Sequence, residues 1–174
     1  FLTLCKTPQL AAEVTIQPVD IIGVDAAIIF SDILILPEAM GMELVVEEGK
    51  GGPRFPSPIR SREEISRLEV PDPSAKLKFV LDAIRTAQTG LKNRVPLIGF
   101  SGSPWTLAAY MVEGKGSREF RYAKELMFSS SKDMHTLLDK LARSVAAYLN
   151  AKIEAGAQAL QLFDTWGGIL GPDE

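Results

Sequence analysis

Three stretches of this 174-residue chain place chemically capable residues directly after an apolar run. Asp32 closes "AAIIFSD", Ser101 and Gly102 close "PLIGFSG", and Asp164 and Thr165 close "ALQLFDT". Tyr110 follows Pro104 by six residues, near two helical turns, so it need not point away from the end of the second run. A carboxylate among apolar groups loses its hydration at a heavy cost. Asp32 stays charged in such a place only by meeting N–H donors or a cationic ligand. Tyr110 and Thr165 offer neutral hydrogen bonds instead. Each residue also has an ordinary structural reading. Asp32 serves equally as a helix cap or loop ion pair, Tyr110 as a core tyrosine with its hydroxyl at the surface, and Asp164 and Thr165 as turn or cap residues. Residue types alone leave both readings open.

Other candidates carry less. "GKGGP" at 49–53 and "EGKGS" at 113–117 lack the G-x-x-x-x-G-K-[ST] spacing of a phosphate loop, and neither directly follows an apolar run. Both read as solvated loops, the first with the makings of a lid. His135, in "SKDMHTLLDK", falls on a helix face and receives no role. One Cys and one His are too few for the usual zinc donor set, so no metal is expected.

What must hold these residues is an alternation of strands and helices. The composition is that of an ordinary globular chain, 46% hydrophobic and 24% charged, enough for one domain with a core. The net charge of −3 and the lack of a basic cluster with interleaved aromatics exclude a nucleic-acid surface. No apolar run approaches the ~20 residues that cross a bilayer, and no signal peptide is visible. The single cysteine, Cys5, rules out an intrachain disulfide and fits a reducing, cytoplasmic setting. The chain has no Met at position 1, opens inside "FLTLCKTP" and closes on "GILGPDE". It is expected to be a fragment, residues 1–174 forming a single incomplete domain.

Residues 8–23 predict a helix broken or kinked at Pro18. "DAAIIFS" predicts a buried parallel strand. "MELVVEE" followed by the turn-rich "GKGGPRFPSP" predicts a hairpin excursion. "SREEISRL" carries a capping box, Ser61 with Glu64. "PDPSAKLKFVLDAIRTAQTGLKN" predicts one long helix capped by Ser74, with Leu77, Val80, Leu81, Ile84 and Ala87 on its apolar face. "VPLIGFSG" is a second buried strand, and "SPWTLAAYMVEG" a helix with Pro104 in its first turn. Ser117 is placed to cap the next helix. A long helical stretch follows, interrupted near "FSSSKD", with Leu137, Leu138, Leu141, Val145, Tyr148 and Leu149 at helical spacing. "AQALQLFDT" is a third buried strand, followed by the turn "WGG". Alternating buried strands and helices are the pattern of a parallel α/β fold. Such folds carry their sites at the carboxyl ends of the strands, where Asp32, Ser101 and Thr165 fall.

Together, "AAIIFSDIL", "GFSGSPWTLAAYMVEG" and "GAQALQLFDTWGG" resemble the uroporphyrinogen decarboxylases. The middle stretch is the specific one. The family pattern is Gly-Phe, two small residues, a free position, Pro, an aromatic, Thr, an aliphatic, two free positions, Tyr, two free positions, an acidic or small residue, then Gly or Lys. Gly99, Phe100, Ser101, Gly102, Pro104, Trp105, Thr106, Leu107, Tyr110, Glu113 and Gly114 satisfy it. The resemblance runs along essentially the whole chain, "PEAMGM" included. It implies a partial (β/α)8 TIM barrel of about three parallel strands with a hairpin excursion. It implies cofactor-free removal of four acetate carboxyls of uroporphyrinogen III as carbon dioxide, giving coproporphyrinogen III in haem synthesis, by an enzyme that forms homodimers. Asp32 then matches the family's central catalytic and substrate-binding aspartate, Tyr110 its active-site tyrosine, and Thr165 a substrate-contacting Ser or Thr. Ile28, Ile29, Phe30 and Phe100 would line the pocket and lower its dielectric.

The chain departs from the family in two ways. The motif Met-Arg-Gln-x-Gly-Arg, whose arginines pair with substrate carboxylates, is absent, as are the later strands with an active-site histidine. The 174 residues alone are therefore expected to be inactive. A zinc- or corrinoid-linked methyltransferase of the same superfamily is the competing enzyme, and a non-catalytic α/β binding domain the competing class.

Overall fold

The structure, a computed structural model, describes residues 1–46 and 52–171. Along the chain run α1 (Leu2–Lys6), α2 (Pro8–Ile21), β1 (Ala27–Ile28), α3 (Ile35–Ala39), α4 (Arg62–Arg67), α5 (Pro73–Lys76) and α6 (Lys78–Leu91). Then follow β2 (Leu97–Gly102), α7 (Pro104–Glu113), α8 (Arg121–Ser129), α9 (Ser131–Ala155), β3 (Ala159–Phe163) and a 3-10 turn, Gly167–Ile169. The strands form an open parallel sheet in the order β1-β2-β3. Ala27 pairs with Leu97 and Ile28 with Ile98. The α/β class and the three parallel strands expected from the sequence are present.

Two compact units divide the chain. The first comprises Phe1–Ile33, Asp72–Ser101 and Ala146–Leu162. Its core forms where α2 packs on α6. Val80, Leu81, Ile84, Ala87 and Leu91 recur on one face of α6 and are each at most 4% exposed. At Gly90 the two helices approach so closely that a Cβ would lie 2.5 Å from Ile16 Cδ1, which explains glycine inside a helix. Helix α6 stops at Lys92, whose left-handed φ of 51° ends the hydrogen-bond ladder. One face of the sheet is covered: Ala27, Ile29 and Leu97 are buried. The other is open, and Ile28 is 53% exposed.

The second unit comprises Leu34–Pro71, Gly102–Val145 and Phe163–Glu174. Helix α7 is its centre. Leu107, Ala108, Ala109, Met111 and Val112 are all inaccessible, and α8 packs against it. The predicted capping box is real. The Ser61 hydroxyl accepts from Glu64 N–H, and the Glu64 carboxylate accepts from Ser61 N–H at 2.9 Å. The Arg60 N–H at 2.8 Å is the main reason the Glu64 carboxyl lies below its usual range, with Ser61 adding to it. At the other end of α4, the Lys140 ammonium donates to the carbonyls of Ile65, Ser66 and Leu68.

Several expectations need correction. The third strand, expected to be buried, is exposed at all five positions. Among the described residues it is an edge strand, as β1 is, and its apolar residues lack the cover that β2 receives. The long helix from "PDPSAKLKF" is two helices broken at Leu77, whose φ and ψ of −121° and 19° are non-helical. Its cap is Asp72, which accepts from Ser74 N–H at 2.9 Å, rather than Ser74. A carboxylate one residue before Pro73 wins because proline suits the first helical position. Ser117 accepts from Glu119 and Phe120 N–H in a turn, while α8 starts after Phe120. Helix α2 is not broken at Pro18, which lies inside it. Among the described residues the excursion shows an antiparallel bridge between Val45 and Arg54, and the middle of the predicted hairpin lies outside them.

Candidate active site

In the first unit, Asp32 follows β1 by a few residues and is half-buried. The backbone before it is pinned by Thr15 of α2. The Thr15 hydroxyl donates to the Ala11 carbonyl at 2.7 Å and accepts from Phe30 N–H at 2.9 Å. Phe30 meets Phe1 edge-on, with centroids 6.1 Å apart. Cys5 is buried close enough to feel Asp32. Burial first, and then the Asp32 charge, push its thiol up to about 11. Ile28 is exposed on the open face, Ile29 is 1% exposed, and Phe30 and Phe100 are half-buried. Ser31 lies beside the Tyr148 phenol and restrains its pKa, yet burial dominates and pushes that pKa up. Neither hydroxyl reaches hydrogen-bond geometry with a partner.

Lys152 was not anticipated. Its side chain is buried, its amine donates to the Phe100 carbonyl, and it lies 4.1 Å over the Tyr148 ring and 5.0 Å over that of Phe100. Burial pushes its pKa down to about 7. The signal was present in the spacing. Leu141, Val145, Tyr148 and Lys152 follow one another at helical intervals, so Lys152 continues an apolar stripe.

In the second unit, Tyr110 and the loop after β3 come together. Ser103 caps α7 by accepting from Thr106 N–H at 3.1 Å, with Pro104 in the first turn. The Ser103 hydroxyl also donates to the Asp164 carboxylate. The Thr106 hydroxyl donates to the same carboxylate oxygen at 2.9 Å and accepts from Trp166 N–H at 3.2 Å. Trp105 donates its indole N–H to the Trp166 carbonyl at 3.0 Å. The Trp166 ring lies 4.7 Å from Phe120 and 6.1 Å from Tyr110, centroid to centroid. Thr165, between two anchored neighbours, is exposed. Asp164 is thus a structural acceptor, one of the readings its position allowed. An open groove of about 520 Å³ beside these groups is lined by Ser103, Trp105, His135, Leu138 and Asp164, among others. His135 itself bonds within its own helix, Nδ1 lying 2.8 Å from the Ser131 carbonyl oxygen.

With this geometry in place, comparison with known proteins is decisive. The sequence model of the family described as Uroporphyrinogen decarboxylase (URO-D) matches residues 1–174. The chain belongs to the uroporphyrinogen decarboxylase family. It is 56% identical to the uroporphyrinogen decarboxylase of Enterobacter sp. (strain 638) over 170 residues, 98% of this chain and 48% of that protein. It is 55% identical to those of Klebsiella pneumoniae and Escherichia coli O157:H7, with the same coverage. The chain therefore spans about half the length of the curated relatives it matches. A solved methyltransferase from Methanosarcina mazei shares the fold with a TM-score of 0.69 and 21% identity, over 91% of this chain and 46% of that one. The three parallel strands are accordingly part of the barrel fold of this decarboxylase family. The family's Pro-aromatic-Thr signature here has visible roles. Pro104 starts α7, Trp105 holds the Trp166 carbonyl, and Thr106 holds Asp164 and Trp166 N–H. Among the described residues, no helix is long and apolar enough to cross a membrane.

Proposed function

We propose that these 174 residues are part of a cytoplasmic, homodimeric uroporphyrinogen decarboxylase. In this reading they contribute one incomplete barrel domain to the conversion of uroporphyrinogen III into coproporphyrinogen III. The observation that carries the reading is the family match along the entire chain, at 55–56% identity to proteins of that name. Decarboxylation needs an electron sink. Protonating the pyrrole that bears the acetate makes a cation, carbon dioxide leaves, and its bonding electrons flow into the ring. Asp32 is the group we assign to the pyrrole N–H donors and to that cation. Preorganised electrostatic groups of this kind are often worth about 3–4 kcal/mol. Phe30, Phe100 and Ile28, on the open face of the sheet, are the apolar surround we assign to it, lowering the dielectric in which the carboxylate acts, whereas Ile29 faces the covered side and belongs to the core. Tyr110 and Thr165 supply neutral hydrogen bonds to the substrate. Nothing in the chain matches the family's arginine motif, so the isolated 174 residues are expected not to turn over.

The test is carbon dioxide release by the intact polypeptide carrying this chain. Asp32→Ala should remove most turnover. Tyr110→Phe should cost less, because a neutral hydrogen bond is worth roughly 0.5–1.5 kcal/mol and a charged one more. Equal losses would contradict the ranking. An inert wild-type polypeptide would remove the assignment.

A further inference from the structure

The decarboxylase reading uses Thr165 and leaves Thr106 without a part, although the family signature requires a threonine there. The contacts explain the requirement. Thr106 is fully buried, and its one hydroxyl does two jobs. It donates to Asp164 Oδ1 at 2.9 Å and accepts from Trp166 N–H at 3.2 Å. Those partners are the residues immediately before and after Thr165. Ser103 makes a second bond to Asp164, and Trp105 a second bond to Trp166. Thr165 is therefore clamped on both sides to the first turn of α7, while it is itself exposed.

Gly167 closes the device from behind. A Cβ there would lie 2.5 Å from Asp164 Oδ2 and 2.9 Å from its Cγ. Any side chain at 167 would push the carboxylate off Thr106. Valine matches threonine in shape but can neither donate to Asp164 nor accept from Trp166. Serine keeps both capacities.

We propose that Thr106 is a positioning residue of the decarboxylation site: through Asp164 and Trp166 it fixes where Thr165 presents its hydroxyl to the substrate. The inference rests on Thr165 being a substrate contact, as read above. Helix α7 also carries Tyr110, so the clamp sets Thr165 relative to the helix of the second substrate-binding residue.

A double-variant cycle on the intact polypeptide tests it, with uroporphyrinogen III as substrate and KM and kcat measured separately. Thr165→Val should raise KM more than it lowers kcat, the mark of lost binding. Thr106→Val should do the same, by roughly tenfold, the change that follows from about one lost hydrogen bond. Thr106→Ser should restore KM to within about threefold of wild type. The combined variant should be no worse than Thr165→Val alone, because Thr106 acts only through Thr165. Asp164→Asn, which keeps the size of the carboxylate, gives an intermediate loss and serves if Thr106→Val fails to fold. Additive losses in the combined variant, or failure of serine to rescue, overturn the positioning role and leave the decarboxylase reading standing. A wild-type polypeptide without turnover overturns both.

Discussion

Strands β2 and β3 are near neighbours in composition and opposites in exposure. The first, "LIGFSG", alternates buried and half-buried residues and ends fully buried. The second, "ALQLF", is if anything more apolar, yet Leu160 is 38% and Leu162 46% exposed. The strands differ in position. β2 lies between two others, whereas β3, like β1, is an edge strand among the described residues. A strand's hydrophobicity thus records the cover it is built to receive, and its burial records the cover present. Leu160 and Leu162 leave an apolar surface without cover among the described residues.

The largest consequence is in stability. Leu97 of β2 is inaccessible. Leu97→Ala should cost about 2–5 kcal/mol in urea unfolding, transfer and cavity terms combined. Leu162→Ala should stay within about 0.5 kcal/mol, as at a typical surface position. Equal losses would erase the distinction between the strands.

A second effect depends on pH. Lys152 reaches the carbonyl of Phe100 in β2 and has its pKa pushed down from the ordinary 10.5 to about 7. Between those values the unfolded chain holds a proton that the folded chain has released. This group should therefore make stability rise with pH from about 7 and leave it unaffected below 7, while Cys5, raised from 9.0 to about 11, opposes the rise above about 9. The slope can reach about 1.4 kcal/mol per pH unit. Lys152→Met should flatten that rise. Parallel melting curves for the two proteins from neutral to alkaline pH would show that the amine stays charged.

The smallest change in stability carries a visible change in association. An exposed apolar edge strand invites pairing with another chain. The dilute 174-residue chain should sediment as more than a monomer, and Leu162→Lys should shift it towards monomer while altering stability by about 0.5 kcal/mol or less. A wild-type chain that stays monomeric would mean that β3 is protected in solution.

The sequence was most legible where the deciding information is local. The capping box of Ser61 and Glu64, Pro104 in the first turn of α7 and the break before Ser131 all follow from residues within one turn of each other. It was least legible where partners lie far apart. Apolar alternation cannot say whether Leu160 and Leu162 are covered. A lysine at 152 reads as solvated until Tyr148 and Phe100 are seen around it. Asp164 drew attention as a possible chemical group because its acceptance from Thr106 spans 58 positions. Ser74 and Asp72 are both good caps, and the choice of Asp72 follows from Pro73 taking the first helical position.

The span between Thr106 and Asp164 has a consequence in time. Ribosomes add roughly 5–20 residues per second, so the 58 positions between donor and acceptor correspond to roughly 3–12 s of synthesis. Throughout that interval α7 can be capped by Ser103 alone, and the hydroxyl of Thr106 has neither Asp164 nor Trp166 to bond. The bond from Phe30 to Thr15 closes across only 15 positions. A nascent chain halted before Asp164 would already hold the backbone ahead of Asp32 while α7 still awaited the loop that its first turn is shaped to receive.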